Sequence, residues 1–157
     1  MTPDQTRTTM TQLVLPPHTN NHGTLFGGQL AAWIDICASV SAMRFAGEPV
    51  VTASIDGLHF LAPIHRGMAV ELQSMVNKAW RSSMEIGVRV MAEDLKTGQR
   101  VHCCSAYCTF VALDGKGGTR ALPALEPQTE EQEQRAADAQ ARRDHRLAVR
   151  KAKQARG

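Results

Sequence analysis

The sequence predicts an α+β fold in which an antiparallel sheet curls around one long helix, and two patterns carry that expectation. Between Thr24 and Phe45, Leu30, Trp33, Ile34, Cys37, Val40 and Ser41 recur at steps of three and four, the period of a helix. From Val50 onward the apolar residues instead alternate in short runs separated by turn residues, the period of strands. At 157 residues, 43% of them hydrophobic, the chain is long enough for one domain with a proper core and short for two.

In chain order, "TQLVLPP" is a short apolar run closed by two prolines, which suits a first strand, and "HTNNHG" is turn chemistry. The helical segment follows, closed by Gly47 and Pro49. Ala31, Ala32, Ala38, Ser39 and Ala42 fill its other faces, so it reads as apolar nearly all round and wrapped by other elements. "VVTASIDGLHFLAPI" has extended character broken near Gly57, and "MAVELQSMVN" puts Val70, Leu72, Ser74 and Val76 on one face. "MEIGVRVMAED" alternates Met84, Ile86, Val88 and Val90 against Glu85 and Arg89, and a turn at "LKTGQ" leads to "RVHCCSAYCTFVAL". Residues 12–125 are thus expected to form the domain. Residues 126–157, rich in Ala, Gln, Glu and Arg, read as a solvated tail, partly helical or disordered. Its acids precede its bases, the order that complements a helix dipole.

Charge excludes some classes. Residues 1–125 carry ten Lys/Arg against nine Asp/Glu, so the body is nearly neutral. The bases concentrated in residues 143–156 lack the stacking aromatics and apolar face that nucleic-acid or membrane binding would use, so neither partner is expected. With no signal-like or membrane-spanning run, the expected location is the cytoplasm. Cys37, Cys103, Cys104 and Cys108 suit free buried thiols, adjacent Cys103 and Cys104 facing opposite sides of a strand. The six histidines show no metal-ligand spacing, so no metal is assigned.

One residue in the helix stands out. Asp35 is the only charged side chain from Gly23 to Met43, in mid-helix, where Asp has poor propensity and no capping role. A carboxylate in an apolar surround is costly unless paired or hydrogen-bonded, which marks Asp35 either for chemistry or as a satisfied structural acid. Gly27 and Gly28 stand where the chain enters the helix, where free backbone N–H groups could hold an oxyanion, although tight packing would also call for glycine. Asn20 could offer its amide to a substrate carbonyl or a water, or could simply form the turn. Arg81, Ser82 and Ser83 combine a cation with two hydroxyls in a turn, a set able to hold phosphate.

The segment "PPHTNNHGTLFGGQLAAWID" resembles the signature of hotdog-fold acyl-CoA thioesterases, in the branch of the cytosolic, brain-type acyl-CoA hydrolase and its single-domain bacterial counterparts. Pro16, Thr19, Asn20, Gly23, Phe26, Gly27, Gly28 and Asp35 match it in register, and the resemblance runs through residues 12–125. It implies a hotdog fold, with the sheet wrapped round the helix, and pairing of two such domains into a dimer, commonly three pairs to a hexamer. It also implies hydrolysis of acyl-CoA to a carboxylic acid and coenzyme A, with no cofactor beyond the coenzyme A of the substrate. Asp35 would act as general base or nucleophile, Asn20 of the partner subunit would assist, Gly27 and Gly28 would hold the oxyanion, and Arg81, Ser82 and Ser83 would meet coenzyme A. A non-catalytic acyl-CoA-binding or regulatory hotdog is the alternative. His18 departs from the pattern, standing where the family usually has Asp, and so does Met68 after Gly67; the long basic tail lies outside the resemblance.

Overall fold

A computed structural model describes residues 1–157. In it, α1 (Gly27–Ala46) buries Leu30, Trp33, Ile34, Cys37, Ala38, Ser41, Ala42 and Phe45, a stripe at helical spacing. Gly47 ends the helix in the left-handed conformation, φ 65°, with its N–H on the Met43 carbonyl. The stripe lies against one antiparallel sheet of β1 (Thr8–Leu13), β2 (Val50–Ile55), β3 (Ala69–Ala79), β4 (Ser83–Glu93) and β5 (Arg100–Ala112), in the order β1-β3-β4-β5-β2. Val70, Leu72, Val76, Met84, Ile86, Val88, Val90, Cys104, Ala106, Cys108 and Phe110 supply the sheet side of the core. This is the hotdog arrangement, and the residues predicted to share a face in the β3 and β4 segments are all buried, although their neighbours Met75, Asn77 and Glu85 are buried too.

Three expectations need correction. First, α1 is not wrapped on every side: Ile36 and Met43 are about half exposed in the single protomer, so one apolar strip has no neighbour within the chain. Second, Cys103 and Cys104 are both fully buried, because Cys103 is the extra residue of a β-bulge opposite Val90 and Met91, which breaks the simple alternation. Third, the C-terminal segment is one continuous helix, α2 (Glu130–Arg156), and its first half is packed rather than solvated. Thr129 caps it by accepting from the Gln132 N–H, and Gln132 and Ala139 are buried.

What holds α2 down is charge on the outer face of the sheet. Glu85 has no exposed surface; its carboxylate accepts from Arg142 at 2.7 and 3.1 Å and from the Asn77 amide at 3.0 Å. The Arg142 guanidinium also lies 3.6 Å from the centre of the Tyr107 ring. Arg143 covers the Trp80 ring and Arg146 reaches Asp56 at 3.0 Å. Asn77 is itself a bulge residue of β3, lying over Gly87, where any Cβ would come within 2.7 Å of its Nδ2.

The amino terminus is also drawn into the fold. Thr6 is fully buried and its hydroxyl accepts from the Val76 N–H, and β1 begins at Thr8, ahead of the expected boundary.

Candidate active site

The loop leading into α1 is held by its own side chains. Asn20 Oδ1 accepts from the His22 and Thr24 N–H groups at 2.9 and 3.3 Å, and its Nδ2 donates to the Thr24 hydroxyl at 2.8 Å. Asn20 therefore shapes a turn, and one of its two amide hydrogens remains free. His18 keeps the preceding turn: its Nδ1 accepts from the Leu15 N–H at 3.0 Å, as an Asp carboxylate would, and its ring stands edge-on to Trp33. The departure at His18 thus leaves the loop intact.

That loop delivers the chain to the start of α1 with its donors uncommitted. The N–H groups of Gln29 and Leu30 both turn back to the Phe26 carbonyl, while those of Gly27 and Gly28 donate to nothing in the protein. The Phe26 ring lies across Gly28, where a Cβ would come within 2.6 Å of the ring and push it aside. Two free N–H groups at a helix N-terminus suit a developing negative charge.

Asp35 lies two turns further on, half-buried at the margin of the helix's apolar stripe, facing β2. Its Oδ1 accepts the Thr52 hydroxyl at 2.6 Å, while Oδ2 makes no hydrogen bond within the chain, and no cation neutralises it. Thr52 points inward because it pairs with buried Phe110 across the sheet, and Ala53 is the extra residue of a bulge immediately after it. Thr52 was missed at the sequence level. A threonine in "VVTASI" is an ordinary strand former, and only the strand's inward register and the turn of the helix reveal the contact.

The predicted residues are only partly assembled in one protomer. Gly27, Gly28 and Asp35 share one helix, but Asn20 and Asp35 share no hydrogen bond. Ser83 sits in the same cross-strand row as Val111 and Val51, one row from Thr52 and two strands across, about 10 Å at the usual strand spacing. Its hydroxyl already accepts from Arg143 of α2 at 3.0 Å, whereas Arg81 is exposed and outside every ion pair.

The thiols are in no state to compete as nucleophiles. Burial, reinforced by the charges of Asp35, Asp56 and Glu85, pushes Cys108 up to about 12, and burial raises Cys37, Cys103 and Cys104 as well. No three His, Cys, Asp or Glu side chains converge as a metal site, and no helix is long and apolar enough to cross a membrane.

Comparison with known proteins gives consistent results. A family model described as the thioesterase superfamily matches residues 22–99. The Bacillus subtilis (strain 168) protein YkhA, named an uncharacterized acyl-CoA thioester hydrolase, is 44% identical over 82% of this chain and 74% of its own length. The chain spans only 18% of mouse acyl-coenzyme A thioesterase 11, at 49% identity. An apo-hexameric acyl-CoA thioesterase superposes with TM-score 0.90 at 42% identity, over 95% of this chain and 96% of the other. The Staphylococcus aureus acyl-CoA hydrolase, solved with butyryl coenzyme A, coenzyme A and coenzyme A disulfide, gives TM-score 0.90 at 35% identity over 99% of this chain and 95% of its own. That coverage takes in the C-terminal helix, so the likeness is not confined to residues 12–125. The same hydrolase has been solved with an aspartate, an asparagine and a threonine each replaced by alanine.

Proposed function

The chain belongs to the thioesterase superfamily and is by kinship an acyl-CoA thioester hydrolase, and from that premise we propose that it splits acyl-CoA into a free carboxylic acid and coenzyme A using Asp35 as its catalytic carboxylate. The observation that carries the reading is the state of that carboxylate: one oxygen is fixed by Thr52, and the other is free, on the helix that also offers two uncommitted N–H groups. The residues replaced in the Staphylococcus hydrolase stand at the same separations from one another as Asn20, Asp35 and Thr52 do here, which supports the set.

The chemistry follows from these groups. The thioester carbonyl oxygen sits on the Gly27 and Gly28 N–H groups, which stabilise the negative charge that develops on it. Asp35 Oδ2 takes a proton from water as the water oxygen bonds to the carbonyl carbon. The tetrahedral intermediate collapses, the C–S bond breaks, and the departing thiolate receives the proton held by Asp35. Direct attack by Asp35 through a mixed anhydride, later cleaved by water, reaches the same products. Trapping of an acyl-enzyme by hydroxylamine separates the two routes. Neither route calls on a metal or cofactor; of the turn residues, exposed Arg81 and the Ser82 hydroxyl are left to meet the coenzyme A moiety, since the Ser83 hydroxyl is held by Arg143 on the outer face.

Asn20 reaches this centre from a second copy. β2 ends the sheet with an unpaired edge and holds Asp35 through Thr52, and Ile36 and Met43 leave an open apolar strip on the same helix, so a dimer that continued the sheet across β2 would bring a second copy beside Asp35. A trimer of such dimers is the assembly that the hexameric relative suggests. The test is complementation: Asp35→Ala and Asn20→Ala are each inactive alone, and mixed oligomers regain activity because one composite site per pair is intact. Failure of mixed oligomers to regain any activity would mean that the two residues act within one subunit.

A further inference from the structure

The loop after β2 folds back over the start of α1 and forms a half-open cavity of about 270 Å³ lined by Thr24, Leu25, Gly27, Phe60, Ala62, Pro63 and Ile64. Its walls are fixed by backbone. The Leu25 N–H donates to the Ile64 carbonyl at 2.7 Å, and the Leu61 N–H to the Cys103 carbonyl at 2.9 Å. Leu25 and Ile64 are buried and belong to the core, so they close the cavity's inner end. At the mouth, Phe60 is 51% exposed and Leu61 66% exposed, large apolar side chains in open solvent. The Phe60 ring stands 3.5 Å from where a Cβ on Gly27 would be.

Gly27 therefore faces two ways. Its N–H is one of the two free donors, and its Cα side forms part of the cavity wall. A carbonyl oxygen held by that donor has the cavity beside it. We propose that this cavity, with Phe60 as its movable lip and Ala62 in its wall, seats the acyl tail of the substrate and sets its length. This rests on the hydrolase reading given above. A dry cavity of roughly 150 Å³ takes one benzene ring, so this volume has room for roughly ten carbons. The enzyme would thus favour medium-chain acyl groups, with longer tails having to displace Phe60 and Leu61 into solvent.

The test measures kcat/KM with acetyl-CoA, octanoyl-CoA and palmitoyl-CoA for the unmodified protein, Ala62→Phe and Phe60→Ala. Each methylene in an apolar pocket is worth about 10-fold or more in discrimination. Filling the cavity with Ala62→Phe should lower the octanoyl-to-acetyl ratio at least ~10-fold, and Phe60→Ala should raise the palmitoyl-to-octanoyl ratio. Phe60 is exposed, so its variant decides the matter if Ala62→Phe fails to fold. Ratios that stay within about twofold, a small fraction of one methylene's worth, overturn the proposal. So does an equal loss on all three substrates, which would place the coenzyme A arm in the cavity instead. Absence of hydrolysis of any acyl-CoA by the unmodified protein overturns the hydrolase reading itself.

Discussion

The two faces of the sheet each hold a carboxylate that the apolar surroundings should resist, and they meet it in opposite ways. On the outer face Glu85 is completely buried and saturated: Arg142 grips both its oxygens, Asn77 adds an amide, and Arg146 stands within 3.7 Å. On the inner face Asp35 has one hydroxyl, no cation and one oxygen free. A carboxylate bound on every side is held for structure, since it cannot move without breaking the network. One that is positioned but left unneutralised can still take a proton or attack. The contrast between them locates the chemistry better than burial does, because by burial alone Glu85 is the more unusual residue.

Substitutions should separate these two carboxylates by what they disturb. Asp35→Ala is expected to cost the most: hydrolysis of acyl-CoA should fall about 10²–10⁴-fold, the range for a general base, with the thermal midpoint and assembly unchanged. Nearly full activity in a correctly assembled Asp35→Ala protein would remove it from the mechanism. Arg142→Ala should act on stability instead. Leaving a buried carboxylate without its partner costs about 3–5 kcal/mol, and the lower end applies because Arg142 is partly exposed and Arg146 is near. Denaturant unfolding reads this, and Arg142→Ala combined with Glu85→Met should recover most of the loss; if it does not, α2 is held by something other than this pair.

Thr52→Val should lower kcat about 10-fold with KM almost unchanged, and lose at most about 1.5–3 kcal/mol of stability, the worth of one hydrogen bond to a charged group. A larger change in KM than in kcat would make Thr52 a substrate contact rather than the group that positions Asp35.

The smallest effect concerns the thiols. With its folded value raised to about 12 from an ordinary 9.0, Cys108 favours the folded state below pH 9, and that contribution is lost as the pH rises from there toward 12. In the native protein at pH 8 none of the four thiols should react with a disulfide reagent, and all four should react once the chain is unfolded.

The inner face could be read in advance and the outer face could not. The helix, its glycine entry and Asp35 lie within one contiguous stretch, and the inward residues Val70, Leu72, Ser74 and Val76 of β3 and Met84, Ile86, Val88 and Val90 of β4 recur at every second position, so local period and spacing suffice for these. Thr52 escaped because its role arises from a bulge and a helix rotation, neither of which leaves a mark in "VVTASI". Residues 130–156 read as solvated because their polar residues outnumber their apolar ones. Their docking depends on ion pairs with Glu85 and Asp56, 57 and 90 residues away, and on the rings of Trp80 and Tyr107. Charge complementarity across such separations has no periodicity to detect.

The long interval between Glu85 and Arg142 also bears on how the chain is made. Fifty-seven residues separate them, so at a synthesis rate of roughly 5–20 residues per second the carboxylate leaves the ribosome between about 3 and 11 seconds before its cation. Throughout that time the outer face of the nascent sheet carries a hydrated negative charge where an apolar residue would invite sticking to neighbouring chains. The helix that finally buries Glu85 emerges only after all five strands. Its arrival converts a solubilising charge on an unfinished protein into an anchor of the finished one.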